Sequence, residues 1–133
     1  MILIENEQLS VIISPQGGTL QSVRSKENGI EYLWQGDRAY WGGRAPNLFP
    51  FVGRLYQEQY RYNGSTYPMK CHGFLGKKEL IPEQTAPDRC AFILTDSPET
   101  FAIYPFHFIL RLEYQLEGNQ LNICFRVQNT GEH

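Results

Sequence analysis

Residues 107–129 read HFILRLEYQLEGNQLNICFRVQN. Phe108, Leu110, Leu112 and Tyr114 stand at every second position, with Ile109, Arg111 and Glu113 between them. A period of two places the first set on one face of an extended chain and the second on the other, the pattern of a half-buried strand in an antiparallel sheet. Leu116-Glu117-Gly118-Asn119-Gln120-Leu121 then reads as a hairpin, because glycine and asparagine accept the backbone angles of a tight reversal. Two strands joined by a short turn are therefore predicted over HFILRLEYQL and QLNICFRVQN.

The same reading carries toward the N-terminus. ILIEN, LSVIIS, TLQSVRS, IEYLWQG, YRYNGSTYPM and CAFILTD are short, rich in β-branched or aromatic residues, and bounded by Gly, Pro, Asn or Asp. Asn63-Gly64 predicts a hairpin turn between Tyr60 and Tyr67, and Pro15-Gln16-Gly17-Gly18 a turn between the second and third strands. No segment repeats apolar residues every three or four positions for the length of a stable helix. The expected class is all-β, an antiparallel β-sandwich, with residues 1–133 forming one domain and no linker or repeat inside it.

Composition narrows the function classes. Lys and Arg number 12 against 14 Asp and Glu, a net charge of −2, and the basic residues are scattered, so a nucleic-acid partner is not expected. MILIENEQLSV carries acids where a secretory signal would be basic, and its apolar runs are too short for a membrane segment. Cys71, Cys90 and Cys124 are odd in number and far apart, which fits neither a disulfide framework nor a zinc pattern; a metal site is not expected and a reducing, cytoplasmic setting is. Cys90 in CAFILT and Cys124 in LNICFRV are expected to be small core residues.

NLFPFVGRL, residues 47–55, sets apolar side chains around a proline and then delivers Arg54, and CHGF follows at 71–74. A guanidinium offers five donors in a fixed fork, able to hold two adjacent hydroxyls, and a neutral imidazole donates from one nitrogen while accepting at the other. The plainer readings are a strand-end arginine covering the sheet with its stem, and a histidine bonded to a backbone carbonyl. His107, in YPFHF, is expected to be a structural or surface residue, and His133 is the terminus.

WGGRAPNLFPFVGRL, YRYNGSTYPMKCHGF, SPETFAIYPFHFILRLEYQL and LNICFRVQNTG, in this order and spacing and preceded by GGTLQSV, resemble the N-terminal half of the aldose 1-epimerase (galactose mutarotase) family. The likeness is to the bacterial branch found with lactose and galactose genes. It implies part of a large antiparallel supersandwich that interconverts the α and β anomers of free aldoses without metal or organic cofactor. It also implies that Arg54, in Gly53-Arg54-Leu55, bonds sugar hydroxyls and that His72 is the first active-site histidine. Arg44 matches a position often basic or polar in that branch. Among the aromatics Trp34, Tyr40, Trp41 and Phe74, Phe74 is the candidate for lining the sugar, since it adjoins His72-Gly73.

The family's second histidine follows the VQN strand in a segment resembling SIGGHP, and its catalytic glutamate lies much further along. Residues 127–133, VQNTGEH, carry neither, so the resemblance implies an incomplete catalytic set. Relatives usually carry an arginine where Gly76 stands. A non-catalytic carbohydrate-binding module is the alternative reading. A half supersandwich would also leave strand edges unpaired, which predicts self-association.

Overall fold

The computed structural model describes residues 1–132, so His133 lies outside it. Among the described residues nine strands are arranged in three antiparallel sheets. The first holds β1 (Ile2–Glu5), β2 (Leu9–Ser14) and β3 (Thr19–Ser25); the second is the hairpin of β4 (Gln59–Tyr62) and β5 (Ser65–Pro68). The third runs β6 (Ile81–Ala86), β7 (Arg89–Thr95), β8 (Phe108–Glu117) and β9 (Gln120–Asn129), each strand beside its sequence neighbour.

The alternation read in β8 is the axis of the core. Phe108, Leu110, Leu112, Tyr114 and Leu116 are all buried, while Ile109 is exposed and Arg111 and Glu113 are half-buried. Across from them Ile4, Leu9, Val11, Ile13 and Leu20 of the first sheet complete a single apolar cluster. Two sheets that each have one apolar face bury those faces against each other, which is the sandwich predicted. Cys90 belongs to this cluster, and burial pushes its thiol up to about 11. Cys124 does not: it is exposed on β9, because the alternation of that strand puts Leu121, Ile123, Phe125 and Val127 on the core side and Cys124 on the other.

All three expected turns form, at Pro15–Gly18, Asn63–Gly64 and Gly118–Asn119. Three local readings differ. IEYLWQG is not a strand; it makes one bridge, Arg24 to Glu31, and then leaves the sheet. The Glu31 carboxylate explains the departure, since it accepts from the backbone N–H of Val23 at 2.8 Å and of Leu33 at 2.9 Å, satisfying groups a ladder would otherwise use. IPEQTA does form a strand, the edge strand β6, where Pro82 is tolerated and nearly every side chain is exposed, so no alternation marks it. A six-residue helix, α1 (Pro98–Ile103), is too short to show a period and is set by its cap: Ser97 Oγ accepts from Thr100 N–H while Thr100 Oγ1 accepts from Ser97 N–H. Among the described residues no helix is long and apolar enough to cross a membrane.

Burial works against ionisation of Glu31, but the Ser22 hydroxyl and the Val23 and Leu33 amides overcome it and hold the carboxyl below its ordinary value. A depressed folded-state value stabilises the fold above the unfolded pKa and ceases to do so as pH falls through the folded one. Glu31→Gln is therefore expected to cost about 1 kcal/mol near neutral pH, with the gap from wild type closing as the pH falls below the ordinary carboxylate range. Urea titrations at neutral and acid pH measure it.

Candidate functional site

NLFPFVGRL is pinned at both ends before it reaches Arg54. At its start the Asn47 amide donates to the Gly17 and Gly18 carbonyls at 3.0 and 2.8 Å, and the Tyr114 hydroxyl donates to the same Gly18 carbonyl at 2.6 Å. In its middle the Phe49 ring packs on Phe74, Tyr104 and Phe108 at centroid separations of 5.8, 5.7 and 5.2 Å. Phe51 packs on Tyr60 at 5.2 Å, and Leu55 lies against the core. Tyr60 in turn donates its hydroxyl to the Ile103 carbonyl, and burial, followed by the neighbouring Tyr104 and Tyr67, pushes its pKa up to about 12. The apolar run is thus an anchor, and Arg54 follows it, exposed on the surface.

The segment carrying His72 runs alongside. Phe49 and Gly73 form a parallel bridge, and the N–H groups of Phe74 and Leu75 both donate to the Phe49 carbonyl, at 2.9 and 3.2 Å. The approach is so close that a Cβ on Gly73 would lie 2.1 Å from the Phe49 oxygen. Further along, Gly53 and His72 exchange two hydrogen bonds: His72 N–H donates to the Gly53 carbonyl at 2.9 Å, and Gly53 N–H donates to His72 Nδ1 at 3.0 Å. Gly53 has φ +84° and His72 φ +67°, so both residues of the pair sit in left-handed backbone, which histidine adopts only at a cost.

This exchange fixes the imidazole chemically. With Nδ1 accepting, the proton of the neutral ring is on Nε2. Arg54, the next residue after Gly53, is exposed, as are His72, Val52 and Tyr56. The Lys70 ammonium, which donates to Glu58 at 2.7 Å, and then the charge of Arg54 hold the Glu58 carboxyl below its ordinary range. The resulting surface carries an arginine and a histidine on two backbone segments hydrogen-bonded to each other, with the Glu58 carboxylate nearby.

The other sequence candidates lie elsewhere. Phe74 is only 6% exposed and belongs to the aromatic core, touching the surface where it floors a groove of about 630 Å³ with Met69, Lys70, Gly73 and Lys77. Arg54 and His72 do not line that groove. Arg44 is half-buried in a separate hollow with Ser14, Gln16, Thr19, Gln21 and Gly42, donating to the Gln21 carbonyl at 3.3 Å. Trp34, Tyr40 and Trp41 form their own exposed group, Trp34 Nε1 donating to the Trp41 carbonyl. His107 is exposed, stacked on Phe101 and bonded to Asp96, whose carboxyl that contact lowers. The bond from the Gly53 amide to His72 and the pairing of Glu58 with Lys70 are not legible in the sequence, because the fold makes them between residues 19 and 12 positions apart. No group of three or more metal-ligating side chains occurs among the described residues.

The aldose 1-epimerase family profile matches residues 1–133. The chain belongs to the aldose 1-epimerase family. Protein LacX of Lactococcus lactis subsp. lactis is 35% identical over 133 residues, covering 96% of this chain and 44% of LacX. Among solved structures, a galactose mutarotase related enzyme from Lactobacillus acidophilus superposes with a TM-score of 0.93 at 40% identity, over 96% of this chain and 43% of that one. A galactose mutarotase-like protein from Lactobacillus casei superposes at 0.94 with 35% identity, over 97% and 44%. This member of the family thus spans less than half the length of the relatives it matches, while reproducing the fold of the part it covers.

Proposed function

We propose that this chain holds a free aldohexose at the edge formed by Arg54 and His72, as the sugar-gripping part of an aldose 1-epimerase. The observation that supports the reading is the reciprocal pair of hydrogen bonds between Gly53 and His72, which joins the backbone that carries Arg54 to the residue that carries the imidazole. Adjacent ring hydroxyls fit the guanidinium fork, and the Nε2–H suits the ring oxygen or the anomeric hydroxyl. Preformed placement of both groups lowers the ordering entropy that binding must overcome. Anomer interconversion needs an acid at the ring oxygen and a base at the anomeric hydroxyl on opposite sides of the ring; the part assigned to Arg54 and His72 is to hold the sugar and polarise it. Free thiols at Cys71, Cys90 and Cys124 suit work in the cytoplasm.

Calorimetric titration with galactose and glucose, together with polarimetry of fresh α-anomer against buffer, tests the reading. Saturable binding is expected. Binding with mutarotation at the buffer rate would favour the non-catalytic module, and absence of saturable binding would overturn the proposal. His72→Asn is expected to keep the fold within about 1 kcal/mol, because asparagine tolerates left-handed backbone, while weakening sugar binding about tenfold. Thermal melts and the same titration separate the two effects.

A further inference from the structure

The Pro15–Gly18 turn, which closes β2 onto β3, holds both of the segments that meet at Gly53 and His72. On one side the Asn47 amide donates to the Gly17 and Gly18 carbonyls at 3.0 and 2.8 Å, at the head of the run that leads to Arg54. On the other side the turn meets residues 76–80, which follow CHGF closely. There Gly17 N–H donates to the Lys78 carbonyl at 2.7 Å, the Gln16 side-chain amide to the Gly76 carbonyl at 3.1 Å, and Leu80 N–H to the Pro15 carbonyl at 2.9 Å. The turn itself has little room to move. A Cβ placed on Gly17 would stand 2.9 Å from the Gly76 Cα, and one on Gly18 2.6 Å from Leu112 Cδ1. The Gly18 carbonyl also accepts from the hydroxyl of buried Tyr114.

The two segments are therefore tied at three levels: through this turn, at the Phe49–Gly73 bridge, and at the Gly53–His72 exchange. Two stretches of chain joined at the bridge alone could pivot about it. A tie on the side of the bridge away from His72 removes that freedom. We propose that Asn47 is a positioning residue for the edge that carries Arg54 and His72, a role that rests on the proposed sugar binding. Through the turn it sets the register of the two segments and, with it, the bond from Gly53 N–H to His72 Nδ1. The residue type suits the task, because the two main-chain partners are carbonyls and a primary amide has two N–H donors to give them. Gln16 makes a side-chain bond on the opposite side of the same turn and acts in the same sense, more weakly, since the Gly17 and Leu80 backbone bonds remain when it is removed.

Nitrogen-15 spectra of the His72 ring, read together with galactose titrations, test this in Asn47→Ala, Gln16→Ala and Glu31→Gln. The last is the control, since Glu31 bonds Ser22, Val23 and Leu33 and neither of the two segments. Asn47→Ala is expected to weaken galactose binding at least about threefold and to draw the two His72 ring shifts together, as Nδ1 loses its donor and both tautomers become populated. Gln16→Ala is expected to move both readouts the same way by less, and Glu31→Gln to move neither. Unchanged His72 shifts or unchanged affinity in Asn47→Ala, or equal changes in Glu31→Gln, would overturn the proposal. Should Asn47→Ala fail to fold, Gln16→Ala decides by the same two readouts. A wild type that binds no galactose overturns the sugar-binding reading and this role with it, whereas failure at Asn47 alone leaves that reading standing.

Discussion

Gly73→Ala is expected to destabilise the chain by at least about 3 kcal/mol, against about 1–2 kcal/mol for Gly64→Ala. The two glycines have similar backbone, φ +75° and +77°, so left-handed strain alone treats them alike. They differ in what a methyl group would meet. At Gly64 there is nothing within 4 Å; at Gly73 the Cβ would stand 2.1 Å from the Phe49 oxygen, 2.5 Å from its carbonyl carbon and 2.7 Å from Pro50 N. All three are backbone atoms, so relief requires separating the two segments, which would break the bridge and the Phe74 and Leu75 hydrogen bonds to Phe49. It would also pull Phe49 out of its contacts with Phe74 and Phe108. Urea unfolding of both variants measures the difference. A loss at Gly73 no larger than at Gly64 would mean that the Arg54 and His72 segments are not locked together.

The second large effect concerns ligand rather than fold. Arg54→Ala is expected to weaken galactose or glucose binding by ten- to a hundredfold, since hydrogen bonds to a charged group contribute about 1.5–3 kcal/mol. Folding stability is expected to change by less than about 0.5 kcal/mol, because the side chain is exposed and the segment is anchored by Phe49, Phe51 and Leu55 instead. Arg54→Lys is expected to recover little of the affinity, since an ammonium has the charge without the fork. Unchanged saturation by the sugar in Arg54→Ala would remove the guanidinium from the site.

How far the sequence reveals these features depends on where each residue's constraint comes from. β8 was legible because one strand meets the core with one face, and its period of two records that directly. The hairpin at Asn63–Gly64 was legible because the turn itself dictates the residue types. β6 was not, since an exposed edge strand imposes no alternation, and α1 was not, since a six-residue helix rests on its Ser97–Thr100 cap. IEYLWQG has strand composition, but the Glu31 carboxylate takes over the backbone groups that pairing would need. Cys124 sits in an apolar run that has a core only on one side, so composition placed it inside while alternation puts it out. At the site, the motifs point to Arg54 and His72, whereas the tautomer of His72 and the pairing of Glu58 with Lys70 depend on contacts between residues 19 and 12 positions apart, which no local pattern records. Arg44 and Phe74 were singled out by position in a motif; the fold gives the first a separate hollow and the second a place in the aromatic core.

The most direct test is a galactose titration of the ¹⁵N-labelled chain, following the Gly53 amide, the Arg54 Nε–H and the His72 ring nitrogens. The expected result is that His72 shows a bare Nδ1 and a protonated Nε2 before sugar is added, and that all three groups then shift together along one saturation curve. Shifts confined to the groove lined by Lys70 and Lys77, or a His72 ring protonated on Nδ1 in its neutral form, would contradict the account.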